Sequence, residues 1–287
     1  MKSLPVGYLE TIEGNPDIVV VRKWDGFSED IVNTGGHIRI FNRSGKEHTP
    51  NVPSLTSKII SAPDFRIRAE GVGPTGRLGS TKSILGSGPD HAIAYQQEHG
   101  NLQFVCHGLI EFKGEDLTHI PFGDKLGDLW AILESLRAQG LSNLLFERLV
   151  KVGKYSFFQE ILAQGGEGVV VKNLRGLEED FVKVKRVKSW DVVITGFTEG
   201  KGKYQGVIGA IRYGVFRDGK LVEVGKASGM TDAERAMFAA NPDMFIGKVI
   251  ELKGQEIGSE GRIRFPAFQR FRDDKLPEEC LEEHLVD

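Results

Sequence analysis

One lysine near the end of an apolar run lies where a side chain could act as a nucleophile. Ile18 to Val21 are four consecutive β-branched residues, which predict a strand that is buried on both faces. Lys23 follows at the strand end, and Asp25 and Gly26 then signal a turn. A lysine amine becomes a nucleophile when burial or neighbouring cations favour its neutral form. Because the Lys-x-Asp-Gly pattern also fits an ordinary surface turn, its meaning depends on the rest of the chain.

Three later segments carry charged side chains in patterns that suit phosphate chemistry. Glu167 stands at a glycine turn that leads into a run of valines. Lys183 and Lys185 alternate with valines, so both lysines should project from the same face of a strand. Two lysines on one face of a largely apolar element are unfavourable unless an anion lies between them, and a phosphate would serve. The third segment, residues 264–275, is rich in arginine and therefore suited to binding phosphate.

The sequence pattern around these residues predicts an α+β domain followed by a small β-barrel. In the first part we expect strands at 18–21, 37–41, 65–70, 102–112, 168–172 and 181–185, helices at 124–139 and 155–164, and a long loop at 73–88. From about residue 189 the sequence predicts short strands separated by glycine turns, at 192–197, 208–216, 221–224 and 248–252. It also predicts one helix, which begins at a Thr231–Glu234 capping box. This second pattern suits a Greek-key barrel of the oligonucleotide-binding type. We therefore predict two domains, residues 1–187 and 188–287, with a hinge near 186–189.

The composition excludes several classes of protein. The chain has 287 residues, of which 40% are hydrophobic and 27% charged, as in soluble globular proteins. No apolar run reaches membrane length, no signal pattern opens the chain, and two cysteines form neither a disulfide framework nor a zinc site. We expect a cytoplasmic monomer without membrane contacts. The net charge is −3, but basic residues crowd the stretch 183–226, where a polyanion could bind.

Together and in this order, the segments resemble the motifs of the covalent nucleotidyltransferases, and specifically of a minimal ATP-dependent DNA ligase, from Lys23 to Lys275. The resemblance implies that Lys23 takes AMP from ATP, and that Lys183 and Lys185 contact the α-phosphate. It assigns Glu70 and Glu167 to a Mg²⁺ or Mn²⁺ ion. The residues that it assigns to nucleotide binding are Arg43, Glu70, His107, Glu167, Arg264, Arg272, Asp274 and Lys275. The residues that it assigns to DNA are Arg43, Lys188, Lys201 and Lys203.

The chain departs from the family pattern in four respects. Ser28 stands where members usually carry arginine. His107 and Gly108 stand where the family has an aromatic–Asp pair whose ring stacks on adenine, so His107 takes the stacking role. Val21 replaces a polar residue that often reads adenine and offers only its backbone. Lys172 is five residues after Glu167, so in a regular strand the two side chains point to opposite faces. A role for Lys172 beside Glu167 would therefore need a bulge or a strand end.

The resemblance implies three phosphoryl transfers that end with the sealing of nicked duplex DNA. ATP rather than NAD is the expected cofactor, because nothing resembles the zinc or helix-hairpin modules of the NAD-dependent enzymes. Few residues precede the first strand, so we expect no separate DNA-clamping domain. An RNA ligase or an mRNA guanylyltransferase remains an alternative, as does a nucleic-acid-binding protein that has lost catalysis. The Arg264–Pro266 segment and residues 201–209 favour DNA.

Overall fold

The structure, a computed structural model, describes residues 1–255, 257–258 and 261–286, except for the side chain of Lys203. The chain divides into two compact units, Met1–Lys185 (unit 1) and Arg186–Asp287 (unit 2). The division drawn from the sequence, between 187 and 188, lies two residues farther along the chain. None of the described helices is long and apolar enough to cross a membrane.

Unit 1 combines short strands with six helices in its described residues. Its strands are β1 (Lys2–Leu4), β2 (Ile18–Arg22), β3 (Phe27–Thr34), β4 (His37–Asn42), β5 (Phe65–Val72), β6 (Gln103–Phe112), β7 (Glu115–Asp116), β8 (Leu144–Phe146), β9 (Gly168–Asn173) and β10 (Val182–Lys185). Its helices are α1 (Tyr8–Thr11), α2 (Pro53–Thr56), α3 (Leu78–Leu85), α4 (Pro89–His99), α5 (Phe122–Ala138) and α6 (Lys154–Ala163).

Two sheets organise unit 1. Sheet A has the order β1-β10-β9-β2, in which only β1 and β10 run parallel. Sheet B has the order β4-β3-β5-β6-β7, with antiparallel pairing throughout, and β8 lies parallel beside β6. Because hairpin connections and crossovers both occur, the unit belongs to the α+β class that the sequence predicted.

Sheet A has a core on each face, which explains the uninterrupted valines of β2 and β9. Val20, Val169 and Val171 pack towards Phe157 and Phe158 of α6. On the opposite face, Val21 and Val170 pack against Phe122 and Phe181. The side chains of β2 from Val19 to Val21 are fully buried, as predicted. The largest core of unit 1 lies on sheet B, where strands β3 to β6 pack against α3, α4 and α5.

The described residues of unit 2 form a five-stranded antiparallel sheet and one α-helix. The order is β13-β12-β11-β14-β15, formed by β11 (Lys188–Glu199), β12 (Ile208–Arg217), β13 (Lys220–Ala227), β14 (Val249–Gly254) and β15 (Ala267–Phe271), with α7 (Asp232–Ala240) between β13 and β14. Thr231 caps α7 through the predicted capping box with Glu234. The outer strands meet through a bridge between Ser228 and Ala267, and no full ladder closes the sheet within the described residues.

The predicted loop at 73–88 was wrong, because residues 78–85 form the helix α3. Gly79 and several Ser and Thr residues give this segment a low helix propensity, but Ile84 and Leu85 are buried against sheet B and packing overrides that propensity. The sequence reasoning also missed β3, α4 and β15.

Candidate active site

Lys23 lies directly after β2, where sheet A ends. Its backbone N–H donates to the carbonyl oxygen of Gly168 at 2.8 Å, which ties the lysine to the start of β9. Its Nζ donates to Oε2 of Glu167 at 2.5 Å, and the side chain is 20% exposed. The strand end therefore presents the amine to solvent while its position remains fixed.

A single carboxylate connects Lys23 to the lysine strand β10. Glu167 contacts Lys23 through one oxygen and Lys185 through the other. Burial acts to raise the pKa of Glu167, but the two lysines hold that pKa below its ordinary value. The pKa of Lys185 is lowered by burial, with Lys23 and Lys183 acting in the same direction and Glu167 opposing. The three side chains thus form one compact charged cluster, which we call the lysine cluster.

The backbone at Gly168 makes the position of Glu167 possible. Gly168 has φ of +144°, a conformation that favours glycine. A Cβ atom at this position would overlap the carbonyl oxygen of Val184 in the neighbouring strand β10. Close approach of β9 and β10 therefore brings Glu167 next to Lys185.

Lys183 lies on the same face of β10 as Lys185, as the alternation predicted. It pairs in register with Val170, while Lys185 pairs with Gly168. The backbone of Lys183 is paired with both neighbouring strands, but its ammonium makes no hydrogen bond or ion pair among the residues that the structure describes. The Glu167 carboxylate contacts Lys185 but not Lys183, so the anion expected between the two lysines stays a prediction.

Glu70 reaches the same region from sheet B. Its Oε1 accepts from the backbone N–H of Gly26, in the turn after Lys23, at 3.1 Å. Burial raises the pKa of Glu70 to about 7; Lys23 and the Gly26 hydrogen bond oppose this shift, and Asp25 and Glu167 add to it. The carboxyl group is therefore partly protonated near neutral pH and can donate as well as accept a hydrogen bond.

Glu70 and Glu167 are carboxylates, the kind of ligand that Mg²⁺ prefers. No group of three or more His, Cys, Asp or Glu side chains suited to a metal occurs among the described residues. Mg²⁺, however, needs only one or two protein carboxylates when phosphates and water supply the remaining ligands. Glu70 and Glu167 are within electrostatic range of each other and provide such a pair.

Lys172 belongs to a different cluster from Glu167, in agreement with its strand parity. It forms a buried ion pair with Glu147, which directly follows β8 and which sequence reasoning missed. The ammonium also lies over the rings of Phe122 and Phe181, at 4.7 and 5.0 Å from the centroids. The sequence did contain a feature that could have identified Glu147, because this carboxylate directly follows the apolar run 144–146. Lys23 likewise directly follows its strand.

His107 lies at an irregularity of β6 beside this ion pair. Arg68 pairs with Gly108 and Ala69 pairs with Cys106, so His107 is an extra residue in the ladder. Burial lowers the pKa of His107 to about 3, and the cations of Lys172 and Arg68 act in the same direction. The imidazole is therefore neutral at physiological pH.

The structure does not bring Arg43 into the lysine cluster. Arg43 is exposed in the turn after β4 and makes no hydrogen bond or ion pair with the described part of the chain. The turn itself is well defined, because Oδ1 of Asn42 accepts from the backbone N–H groups of Ser44 and Lys46 at 3.0 and 2.9 Å.

In unit 2, the predicted phosphate-binding residues are held by carboxylates of the same unit. Arg272 donates to both oxygens of Asp191 at 2.8 and 2.9 Å and to Asp274 at 2.8 Å. Lys275 contacts Asp191 at 2.7 Å. Arg272 holds the pKa of Asp274 at about 2. Asp191, which sequence reasoning missed, therefore joins Arg272 and Lys275 in one cluster.

The remaining candidates in unit 2 are dispersed. Arg264 lies over the ring of Phe265, at 5.6 Å from its centroid. Lys188 begins β11, and Lys201 is exposed just before a 3₁₀ turn. Lys203 lies in that turn, but its side chain is outside the described residues.

Comparison with known families accounts for almost the whole chain. Residues 8–191 match the family model of the ATP dependent DNA ligase domain, and residues 199–272 match the DNA ligase OB-like domain. The chain is 26% identical to a DNA ligase of Methanoculleus marisnigri, over 93% of this chain and 54% of that protein. It is 28% identical to a probable DNA ligase of Mycobacterium avium, over 96% of this chain and 58% of that protein. The chain therefore spans little more than half the length of these curated relatives.

Solved structures share the fold. A structure described as a Lig E DNA ligase with a minimal scaffold for DNA binding is 16% identical, with a TM-score of 0.67 over 94% of this chain and 98% of that chain. A second structure, described as Pmar-Lig_Pre., is 17% identical, with a TM-score of 0.71 over 94% of this chain and 67% of that chain. Both matches extend over unit 1 and unit 2.

Proposed function

Because the chain belongs to the family of ATP-dependent DNA ligases, we propose that it seals nicks in duplex DNA through a lysine–AMP intermediate. The observation that carries this proposal is the lysine cluster. It contains a strand-end amine and a second lysine, both fixed by one carboxylate, and Glu70 faces them from the neighbouring sheet. An amine that is held in place next to a second lysine suits attack on a phosphate.

In the first step, Nζ of Lys23 attacks the α-phosphorus of ATP. The nitrogen–phosphorus bond forms, the bond to pyrophosphate breaks, and the proton that the amine loses passes to water. Glu167 orients the amine through its hydrogen bond, and Lys185 and Lys183 stabilise the negative charge that develops on the phosphate oxygens. Such transfers depend on positioning and charge neutralisation more than on covalent chemistry by the protein.

In the second step, AMP passes from Lys23 to the 5′-phosphate at a nick, and in the third the adjacent 3′-hydroxyl displaces AMP. The AMP phosphate is attacked in the first two steps and leaves, still bonded to AMP, in the third, so Lys183 and Lys185 serve all three by stabilising its negative charge. Glu70 and Glu167 would hold the magnesium ion, which neutralises phosphate charge when it is bound.

Further groups contribute to nucleotide and DNA binding in this proposal. His107 stacks as a neutral ring on adenine, and Arg264, Arg272, Asp274 and Lys275 bind the outgoing pyrophosphate. DNA is bound by Arg43, Lys188, Lys201 and Lys203. The exposure of Arg43 and Lys201 supports this assignment, because phosphate contacts require accessible cations.

The test of the nucleophile is adduct formation measured by intact mass. Incubation with ATP and Mg²⁺ should add one AMP to the wild-type chain. K23R keeps a cation next to Glu167 but removes the nucleophilic amine, so this variant should remain folded and gain no AMP. K82A, a change at an exposed lysine of α3, is the control and should react normally. Adduct formation by K23R would refute the assignment of Lys23.

The substrate is tested by sealing of matched nicks in DNA, RNA and hybrid duplexes. We expect sealing of nicked DNA at a rate at least ten-fold above that of nicked RNA. Preferential sealing of RNA would replace the proposal with an RNA ligase. An AMP adduct without sealing of any nick would refute the ligase activity and leave a nucleotidyltransferase of another acceptor.

A further inference from the structure

The carboxylate of Glu178 occupies the space that a side chain at position 108 would need. Gly108 follows His107 in β6, and a Cβ atom built on Gly108 would lie 2.7 and 2.9 Å from the two oxygens of Glu178. Such distances are shorter than any ordinary contact of a methyl group. A side chain at 108 would therefore require the carboxylate of Glu178 to move from its present position.

Two cations hold Glu178 over this glycine. Nζ of Lys125, whose side chain is only 3% exposed, donates to Oε1 of Glu178 at 3.0 Å. Nη1 of Arg68 lies 3.8 Å from the other oxygen, while its Nε donates to Asp30 at 3.0 Å. Glu178 is the only carboxylate within ion-pair distance of Lys125 among the described residues. Loss of Glu178 would leave a buried ammonium with only the carbonyl oxygen of Leu117 as a partner.

The location of this contact links it to His107. The register of β6 shifts between the partners of Arg68 and Ala69, and His107 is the extra residue. Arg68, which pairs with Gly108, is also one of the cations on Glu178. The carboxylate therefore contacts β5 through Arg68 and lies against Gly108 of β6, directly next to the bulge that sets the direction of the imidazole.

We propose that Glu178 is a positioning residue that holds His107 towards the nucleotide base, and that it supplies the acid missing from position 108. In the family pattern the stacking residue is followed by an aspartate on the same strand. Here that residue is a glycine, and the carboxylate comes from the turn before β10. This inference rests on the proposed function, because it assumes that the base binds at His107.

The expected effects are on nucleotide binding rather than on chemistry. E178A should raise the KM for ATP in adduct formation about ten-fold and change kcat less than three-fold. H107A should raise the KM at least as much. Because Glu178 acts through His107, the double variant H107A/E178A should be no worse than H107A, whereas a purely structural role predicts multiplied effects. E179A, a change at the exposed neighbour in the same turn, is the control and should match the wild type.

Relocation of the acid gives the sharper test. G108D alone places two carboxylates in one space and should impair folding or ATP binding. G108D/E178A returns one carboxylate to Arg68 and Lys125 from the strand, and should bring the KM to within about three-fold of the wild type. A double variant no better than E178A, or a multiplied effect in H107A/E178A, would overturn the proposal.

A second readout separates this inference from the proposed function. If the wild type formed no AMP adduct, the ligase proposal would fail, but the affinity for ATP measured by calorimetry and the imidazole signals of His107 in NMR spectra could still be compared. E178A should shift those signals and weaken ATP binding about ten-fold, and G108D/E178A should reverse both effects. Unchanged His107 signals in E178A would reject the positioning role whatever the activity.

Discussion

Replacement of Lys172 by methionine should destabilise unit 1 in a way that depends on pH. The ammonium of Lys172 and the carboxylate of Glu147 form an ion pair whose side chains are 3% and 7% exposed. In K172M the aliphatic stem is retained against Phe122 and Phe181, but Glu147 loses its cation. Removal of one partner of a buried pair typically costs about 3–5 kcal/mol.

The pH dependence follows from the direction of the pKa shift. Burial raises the pKa of Glu147, and Lys172 opposes that shift in the wild type, so the pKa must rise further in K172M. A carboxyl group with a raised folded-state pKa binds its proton more tightly in the folded protein, so its stabilising contribution is present at low pH and lost as pH rises. Between the wild-type and variant pKa values of Glu147, the penalty of K172M should grow by about 1.4 kcal/mol per pH unit.

Urea unfolding can measure this effect in unit 1. Of the three tryptophans, Trp24 and Trp130 lie in unit 1, so a W190F background makes fluorescence specific to that unit. The double variant E147Q/K172M removes both charges and should show a small penalty that is independent of pH. The reasoning is refuted if the penalty of K172M does not grow with pH anywhere in the range over which the protein remains folded, or if the double variant is as unstable as K172M.

Three further perturbations have definite expected outcomes. G168A should reduce the rate of adduct formation at least 100-fold, measured by intact mass, because its methyl group would push β9 away from Val184 and displace the acid of the lysine cluster; normal activity would contradict this packing. The pKa of Glu70, about 7 in the folded chain, predicts that the free energy of unfolding falls by up to about 3 kcal/mol as pH rises from 4.5 to 7, and E70Q should remove that slope in denaturant titrations. R272A should abolish adduct formation but still seal a nick that is already adenylylated, because pyrophosphate is present only in the first step; equal loss of both reactions in a folded variant would exclude this role.

Local pattern was sufficient to predict the elements that carry the lysine cluster. A run of β-branched residues identified β2, and the alternation of lysine with valine gave the correct face for Lys183 and Lys185. Parity also separated Lys172 from Glu167 correctly. These inferences succeeded because they depend on neighbours within a few residues, where the period of a strand fixes the direction of each side chain.

Charge pairs between distant residues could not be predicted in the same way. Asp191 and Arg272 are 81 positions apart, and Glu147 and Lys172 are 25 positions apart. The sequence around a carboxylate does not identify the cation with which it will pair, because the pairing depends on how the strands are ordered in a sheet. The helix α3 was missed for a related reason, since its burial against sheet B compensates for a weak local propensity.

The first strand has a practical consequence for anyone who modifies the N-terminus. Residues 2–4 form β1, which pairs in parallel with β10 along Val182, Lys183 and Val184 and so covers the outer edge of sheet A. If these residues were deleted, the N–H and C=O groups of β10 would be open to pairing with another molecule. Truncation there should therefore promote self-association and loosen the strand that carries both lysines, whereas a tag attached ahead of residue 1 leaves the pairing intact.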